Sequence, residues 1–133
     1  MIIGIGNDIT DIRRIEKILV RFETRFIARC FTAAEQAYAE KRRNSGGHIA
    51  TYAKRFAAKE AAAKALGTAI RGGVQLTDFE VINAENGRPE LHIHGIAKNI
   101  LARKTPKGKT AYMHLSLTDE QPYAGAFVIF EAR

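Results

Sequence analysis

Phe79-Glu80-Val81-Ile82 and Glu90-Leu91-His92-Ile93-His94 alternate, or nearly alternate, between apolar and polar residues, and Asn86-Gly87-Arg88-Pro89 stands between them. That pattern reads as two strands joined by a turn, a β-hairpin. It decides the fold because the residues before it read mainly as helices and those after it return to strands. From Ile12 to about Phe26, Ile15, Ile18, Leu19, Phe22 and Phe26 recur at helical spacing, while Arg14, Lys17, Arg21 and Arg25 form a second stripe. This predicts an amphipathic helix with a basic edge, capped by Asp11. Thr32-Ala33-Ala34-Glu35 matches a capping box that opens a helix through Arg43, ended by Asn44-Ser45-Gly46-Gly47. A longer helix runs from about His48 to Leu66, with high alanine content and Gly67 placed for a left-handed cap.

At the start of the chain, Ile2-Ile3-Gly4-Ile5-Gly6 is a β-branched apolar run closed by Asn7-Asp8, which predicts a buried strand with Asp8 at its carboxyl end. After the hairpin come a short helix near Ile96 to Lys104 and a basic loop, Thr105–Lys109. Two final strands are expected around Thr110–Leu117 and Tyr123–Glu131. Helices grouped first and antiparallel strands later predict an α+β fold, helices packed on one antiparallel sheet, in a single domain over residues 1–133.

Composition narrows the function. The 133 residues are 46% hydrophobic and 26% charged, ordinary for a globular chain. The 21 Lys+Arg against 14 Asp+Glu leave a net charge of +7, which favours an anionic partner: nucleic acid, acidic lipid, acidic protein or a phosphorylated metabolite. Cys30 is the sole cysteine, which excludes intramolecular disulfides and multi-cysteine zinc sites and fits a reducing cytoplasm. The N-terminal residues lack a basic n-region and reach Asp8 early, so neither a signal peptide nor a membrane span is expected.

Several motifs have two readings. Gly4-Ile5-Gly6 begins like a dinucleotide fingerprint, but Ile9 occupies the third glycine position, which excludes it. His92 and His94 share a strand face; without a third ligand they read as a solvent-facing pair. Cys30, beside Phe31, reads as a packed thiol. The Lys107–Lys109 loop is either a solvated tip or a phosphate contact. Glu60 lies four residues before Lys64, but such a helical pair is worth only about 0.3–0.5 kcal/mol and does not compensate a buried carboxylate. Glu60 is therefore exposed or compensated by a cation. Asp8 is either a turn or capping residue or an acid at a site. Together Asp8 and Glu60 permit Mg²⁺, which takes one or two carboxylates and completes its shell with water and substrate phosphates. Arg55, Lys59 and Lys64 either neutralise those phosphates or form a solvated helix face.

The segments Gly4-Ile5-Gly6-Asn7-Asp8-Ile9-Thr10-Asp11-Ile12-Arg13-Arg14-Ile15 and Arg55-Phe56-Ala57-Ala58-Lys59-Glu60-Ala61-Ala62-Ala63-Lys64-Ala65-Leu66-Gly67 closely resemble the two signature blocks of the holo-acyl-carrier-protein synthase family of 4′-phosphopantetheinyl transferases. Gly87-Arg88-Pro89-Glu90-Leu91 resembles its G-x-P-x-L turn, and His114–Glu120 with Ala124 and Ala126–Ile129 its C-terminal block. The resemblance implies the 4′-phosphopantetheinyl transferase fold and transfer of 4′-phosphopantetheine from coenzyme A to a serine of apo-acyl carrier protein, releasing adenosine 3′,5′-bisphosphate. It implies Mg²⁺ on Asp8 and Glu60, with Lys64 completing the catalytic set. It further implies coenzyme A contacts from Arg55, Lys64, Pro89 and His114, and carrier-protein binding by Arg14, Arg21 and Arg25. His114, Glu60 and water stay open as the base. The implied assembly is a homotrimer with clefts between protomers, in the cytoplasm, serving fatty acid biosynthesis without nucleic acid or membrane. A non-catalytic coenzyme A-binding scaffold and a basic nucleic-acid-binding module are the alternatives.

Overall fold

The computed structural model describes all 133 residues. In chain order the elements are β1 (Ile2–Asp11), α1 (Ile12–Cys30), α2 (Ala33–Glu40), α3 (His48–Leu66), β2 (Phe79–Asn83), β3 (Pro89–Ile93), α4 (Gly95–Lys104), β4 (Ala111–Glu120) and β5 (Tyr123–Ala132). The fold is α+β, with helices packed on antiparallel strands. The strands are divided, however, and do not form the one continuous sheet expected. β5 lies between β1 and β4 in a three-stranded sheet, and β2 pairs only with β3. β3 lies near β4 without pairing to it, and a cavity opens between those two strands.

β1 differs from its sequence reading in length and burial. Pairing with β5 continues through Asp8↔Ala126, Ile9↔Gly125 and Thr10↔Ala124, so Asp8 stands within the strand and not at its end. Long-range hydrogen bonding overrides the turn character of Asn7-Asp8. Only one face of β1 is covered, and Ile5 and Ile9 on the other are 61% and 72% exposed.

The covered face explains the glycines. A Cβ on Gly4 would come within 1.9 Å of the Ala65 carbonyl oxygen, and one on Gly6 within 2.0 Å of that of Ala61. The glycines therefore serve close approach of β1 to α3, not phosphate binding. Four helical residues rise about 6 Å and two strand residues about 6.7 Å, so the two backbones stay in step. The alanines of α3 complete this contact: Ala57, Ala58, Ala61, Ala62 and Ala65 are buried in one core with Ala126, Val128 and Phe130 of β5.

α1 extends four residues beyond Phe26 and is kinked at Phe22, whose φ −132° and ψ 25° are not helical. The kink shifts the apolar stripe from Ile15 and Leu19 to Ile27 and Cys30, leaving Phe22 exposed beneath the Arg21 guanidinium, 4.9 Å from its ring centroid. α2 stops at Glu40, short of Arg43, and a 3₁₀ turn over Arg43–Ser45 follows.

The capping box of α2 forms as predicted, and its glutamate has two further partners. The Glu35 carboxylate accepts from the Thr32 and Val81 amides and from Lys59 Nζ at 2.7 Å. Lys59 is fully buried and also donates to the carbonyls of Leu76 and Phe79. It is thus committed to the interior, and neither reading of it holds: it is neither a phosphate-facing base nor part of a solvated helix face. Thr32→Ala removes the cap and should lower unfolding free energy by about 1–2 kcal/mol in urea titration. An unchanged urea midpoint would show that the cap carries no stability.

Candidate active site

The register of β1 against α3 sets Asp8 beside the last two turns of the helix. Lys64 Nζ donates to the Asn7 carbonyl at 2.9 Å and to Asp8 Oδ1 at 3.3 Å, and Thr10 Oγ1 donates to Asp8 Oδ2 at 2.9 Å. Glu60 faces the same group with neither a hydrogen bond nor an ion pair. Its carboxyl is raised above the ordinary carboxylate value, first by burial and then by the charge of Asp8, against the opposing pull of Lys64 and Arg14. Two carboxylates held together, one of them half-buried and unpartnered, favour a cation between them. No third metal-ligating side chain joins the pair. Two carboxylates fit a Mg²⁺ ion that keeps water and phosphate ligands, and not a structural zinc.

Pro89 and His114 meet elsewhere. Both line the cavity of about 450 Å³ between β3 and β4, with Arg88, Glu90, His92 and Tyr112 around them. The register puts His114 opposite Ile129, and Ile129 opposite Ile5. Directly paired residues share a face, so His114 projects from the face of the sheet that carries Ile5 and Ile9, while Asp8 projects from the face against α3. Within one chain the sheet separates His114 from the Asp8–Glu60 pair. The face bearing His114 also exposes Phe127, Tyr112 and Tyr123.

Arg55 occupies a third place. It is 3% exposed, donates from Nη2 to Asn83 Oδ1 at 2.6 Å and lies 4.2 Å from the centroid of the Tyr38 ring. Its Nε is buried without a partner, and burial lowers the guanidinium's pKa. With Tyr38, Lys41 and Asn83 it lines a cavity of about 310 Å³. Nothing in the sequence ties Lys41, Tyr38 and Asn83 to Arg55: the first two lie on or beside a separate short helix, and Asn83 is an ordinary strand end.

Arg14, Arg21 and Arg25 are exposed along α1, as is Lys17. Arg14 also borders a cleft of about 640 Å³ whose apolar walls include Ile18, Phe26, Phe56, Ile70 and Leu76. His94 and His92 lie near Glu80 and Glu90, at 3.0 and 3.9 Å. Cys30 is buried, and burial pushes its thiol up to about 11. The Thr105–Lys109 loop borders a groove with Lys98 and Leu101. No helix is long and apolar enough to cross a membrane.

Residues 4–127 match the model of the 4′-phosphopantetheinyl transferase superfamily. The holo-[acyl-carrier-protein] synthase of Granulibacter bethesdensis is 54% identical over 132 residues, covering 99% of this chain and 90% of that protein. That of Beijerinckia indica is 56% identical, covering 99% and 92%. The crystal structure of the Neisseria meningitidis holo-[acyl-carrier-protein] synthase superposes with a TM-score of 0.84 at 35% identity, covering 98% of this chain and 99% of that one. The Bacillus anthracis synthase, solved in complex with CoA (3′,5′-ADP), gives 0.76 at 34% identity, covering 98% and 97%. Sequence kinship along nearly the whole length and a common fold lead to one conclusion: this chain is an enzyme of the 4′-phosphopantetheinyl transferase superfamily and belongs to its holo-[acyl-carrier-protein] synthases.

Proposed function

We propose that this enzyme transfers 4′-phosphopantetheine from coenzyme A to a serine of apo-acyl carrier protein, releases adenosine 3′,5′-bisphosphate, and depends on Mg²⁺ held by Asp8 and Glu60. The observation that carries the reading is the Glu60 carboxylate, half-buried, unpartnered and set against Asp8 beside Lys64. Bound there, Mg²⁺ supplies neutralisation of the pyrophosphate charge and of the charge that develops on the leaving phosphate. Lys64 reaches the same phosphates as a point charge, its chain held meanwhile by the Asn7 carbonyl. Arg55, with its free Nε and Lys41 nearby, fits a phosphate at the nucleotide end of coenzyme A. Pro89 and His114 line the coenzyme A cleft from the other side of the sheet.

Because His114 and Asp8 lie on opposite faces, a cleft that uses both is completed between protomers. The exposed apolar face supports the same assembly, a homotrimer, since a patch containing Ile5, Ile9, Phe127 and Tyr123 is the kind an oligomer covers. The reaction belongs to fatty acid biosynthesis in a reducing cytoplasm, where the single thiol of Cys30 stays free. Incubation with coenzyme A, Mg²⁺ and an apo-carrier protein should add one phosphopantetheine arm to the carrier by intact mass. An unmodified carrier under those conditions overturns the reading.

Acyl carrier proteins are acidic, so the exposed Arg14–Arg21–Arg25 edge is their docking surface, beside the cleft walled by Phe26 and Phe56. Rim charges act chiefly on encounter and orientation. Arg14→Glu and Arg21→Glu should each raise KM for the carrier by about tenfold at low salt. The effect should shrink as salt rises, and KM for coenzyme A should stay unchanged. A wild-type carrier KM in both variants, or a parallel loss of coenzyme A affinity, would rule out docking here.

A further inference from the structure

On β5 and the residues after it, Glu131 and Arg133 form a chain of contacts that ends on His114. His114 Nε2 is 2.9 Å from Glu131 Oε1, and the same oxygen accepts from Arg133 Nε at 3.1 Å. The Arg133 guanidinium in turn lies 4.5 Å from the centroid of the Tyr112 ring. The register explains why these groups meet. Glu131 pairs directly with Tyr112 and is therefore the diagonal neighbour of His114 on the same face of the sheet, within reach of a long side chain.

The contact has a definite polarity. A carboxylate only accepts, so Nε2 must carry the proton, and Nδ1, for which the protein supplies no partner, is left for the cavity it shares with Pro89. Glu131 stays ionised, because its bonds to His114 and then Arg133 hold its pKa below the ordinary value. Arg133 holds the same Oε1 through its Nε and Nη2, and Tyr112 keeps Arg133 there. The geometry points to Glu131 as a positioning residue: through its carboxylate it fixes the ring orientation and the Nε2–H tautomer of His114, so that Nδ1 is the atom offered to coenzyme A. A carboxylate or carbonyl behind an imidazole has this effect in other sites, where it selects the tautomer and the ring plane.

The part of this inference that concerns turnover rests on the function proposed above, whereas the part that concerns the ring does not. The ¹⁵N resonances of the His114 ring, read at about pH 9, where an ordinary imidazole is neutral, report the tautomer directly. In the wild-type protein they should show Nε2 protonated and Nδ1 bare. Glu131→Gln, whose amide oxygen can still accept, should keep that signature. Glu131→Ala should give the averaged shifts of two exchanging tautomers. In turnover, Glu131→Ala should lower kcat/KM for coenzyme A by about tenfold, Glu131→Gln should restore most of it, and KM for the carrier should not move.

An Nδ1–H tautomer in the wild type overturns the inference, as does a Glu131→Ala spectrum identical to wild type. Equal losses in the Gln and Ala variants would assign Glu131 to charge and also overturn it. A protein that shows the expected tautomers but modifies no carrier would leave Glu131 as the orienting group and refute only the proposed function.

Discussion

Asp8→Asn and Glu60→Gln should each reduce turnover by about 10²–10³-fold at limiting Mg²⁺, the loss expected if one of two anionic ligands is removed from a metal that offsets several kcal/mol of phosphate charge. Neither change should unfold the protein, and Glu60→Gln has a distinctive effect on stability. Glu60 is a carboxyl whose folded pKa lies above its ordinary value. The folded state therefore binds the proton more tightly than the unfolded chain, and without metal its stability falls as pH rises from the ordinary glutamate range, about 4.3, through the raised value. Above that window the ionised carboxylate is a standing cost, which glutamine does not carry. Metal-free Glu60→Gln should thus equal or exceed the wild type in melting temperature at neutral pH and lose the decline between those two pKa values. Mg²⁺ should raise the melting temperature of the wild type and leave that of Glu60→Gln nearly unmoved. Near-wild-type turnover in either variant, or an equal Mg²⁺ shift in both proteins, would remove the metal from this pair.

Much of the framework could be read in advance, and the residues show why. α3 begins at His48 and ends at Leu66 as predicted, because its propensity and its glycine cap are both local; Gly67 takes φ 78°. The Thr32–Glu35 capping box is local for the same reason. β1 departs from its sequence reading where local and distant information disagree: Asn7 and Asp8 favour a turn, but Phe127 and Ala126 pair with them from the far end of the chain. Lys59 is the same problem in a side chain. Its helical spacing resembles that of Lys64, and only the position of Glu35, 24 residues earlier, separates a buried ion pair from a surface base. The candidate site was legible as a set of residues but not as a place. Asp8, Glu60 and Lys64 come together because glycines face alanine carbonyls across β1 and α3. Arg55 and His114 belong elsewhere, by a helix face and a strand register that no short motif encodes.

That register leads to a result that a single-chain site could not give. Asp8 faces α3 and His114 faces away from it, so an Asp8→Asn protomer retains an intact His114 face, and a His114→Ala protomer retains an intact Asp8–Glu60 pair. In the proposed ring of three protomers, joined by unlike surfaces, each cleft would take one face from each neighbour. Each variant alone should be nearly inactive, because every one of its clefts lacks one component. Dissociated together in equal amounts and reassembled, the two should recover activity. A cleft drawn at random has a one-half chance of an intact Asp8 and a one-half chance of an intact His114. About one quarter of the clefts should therefore work, provided that assembly is unbiased. The control is equally definite: Asp8→Asn mixed with Glu60→Gln should recover nothing, because those two carboxylates come from the same protomer and no exchange of partners restores the pair. Sedimentation of each variant should give a trimer, which separates lost chemistry from lost assembly. Trimers that exchange protomers yet show no recovery would place Asp8 and His114 in the same half of the cleft, and activity in a monomer would dismiss the shared cleft altogether.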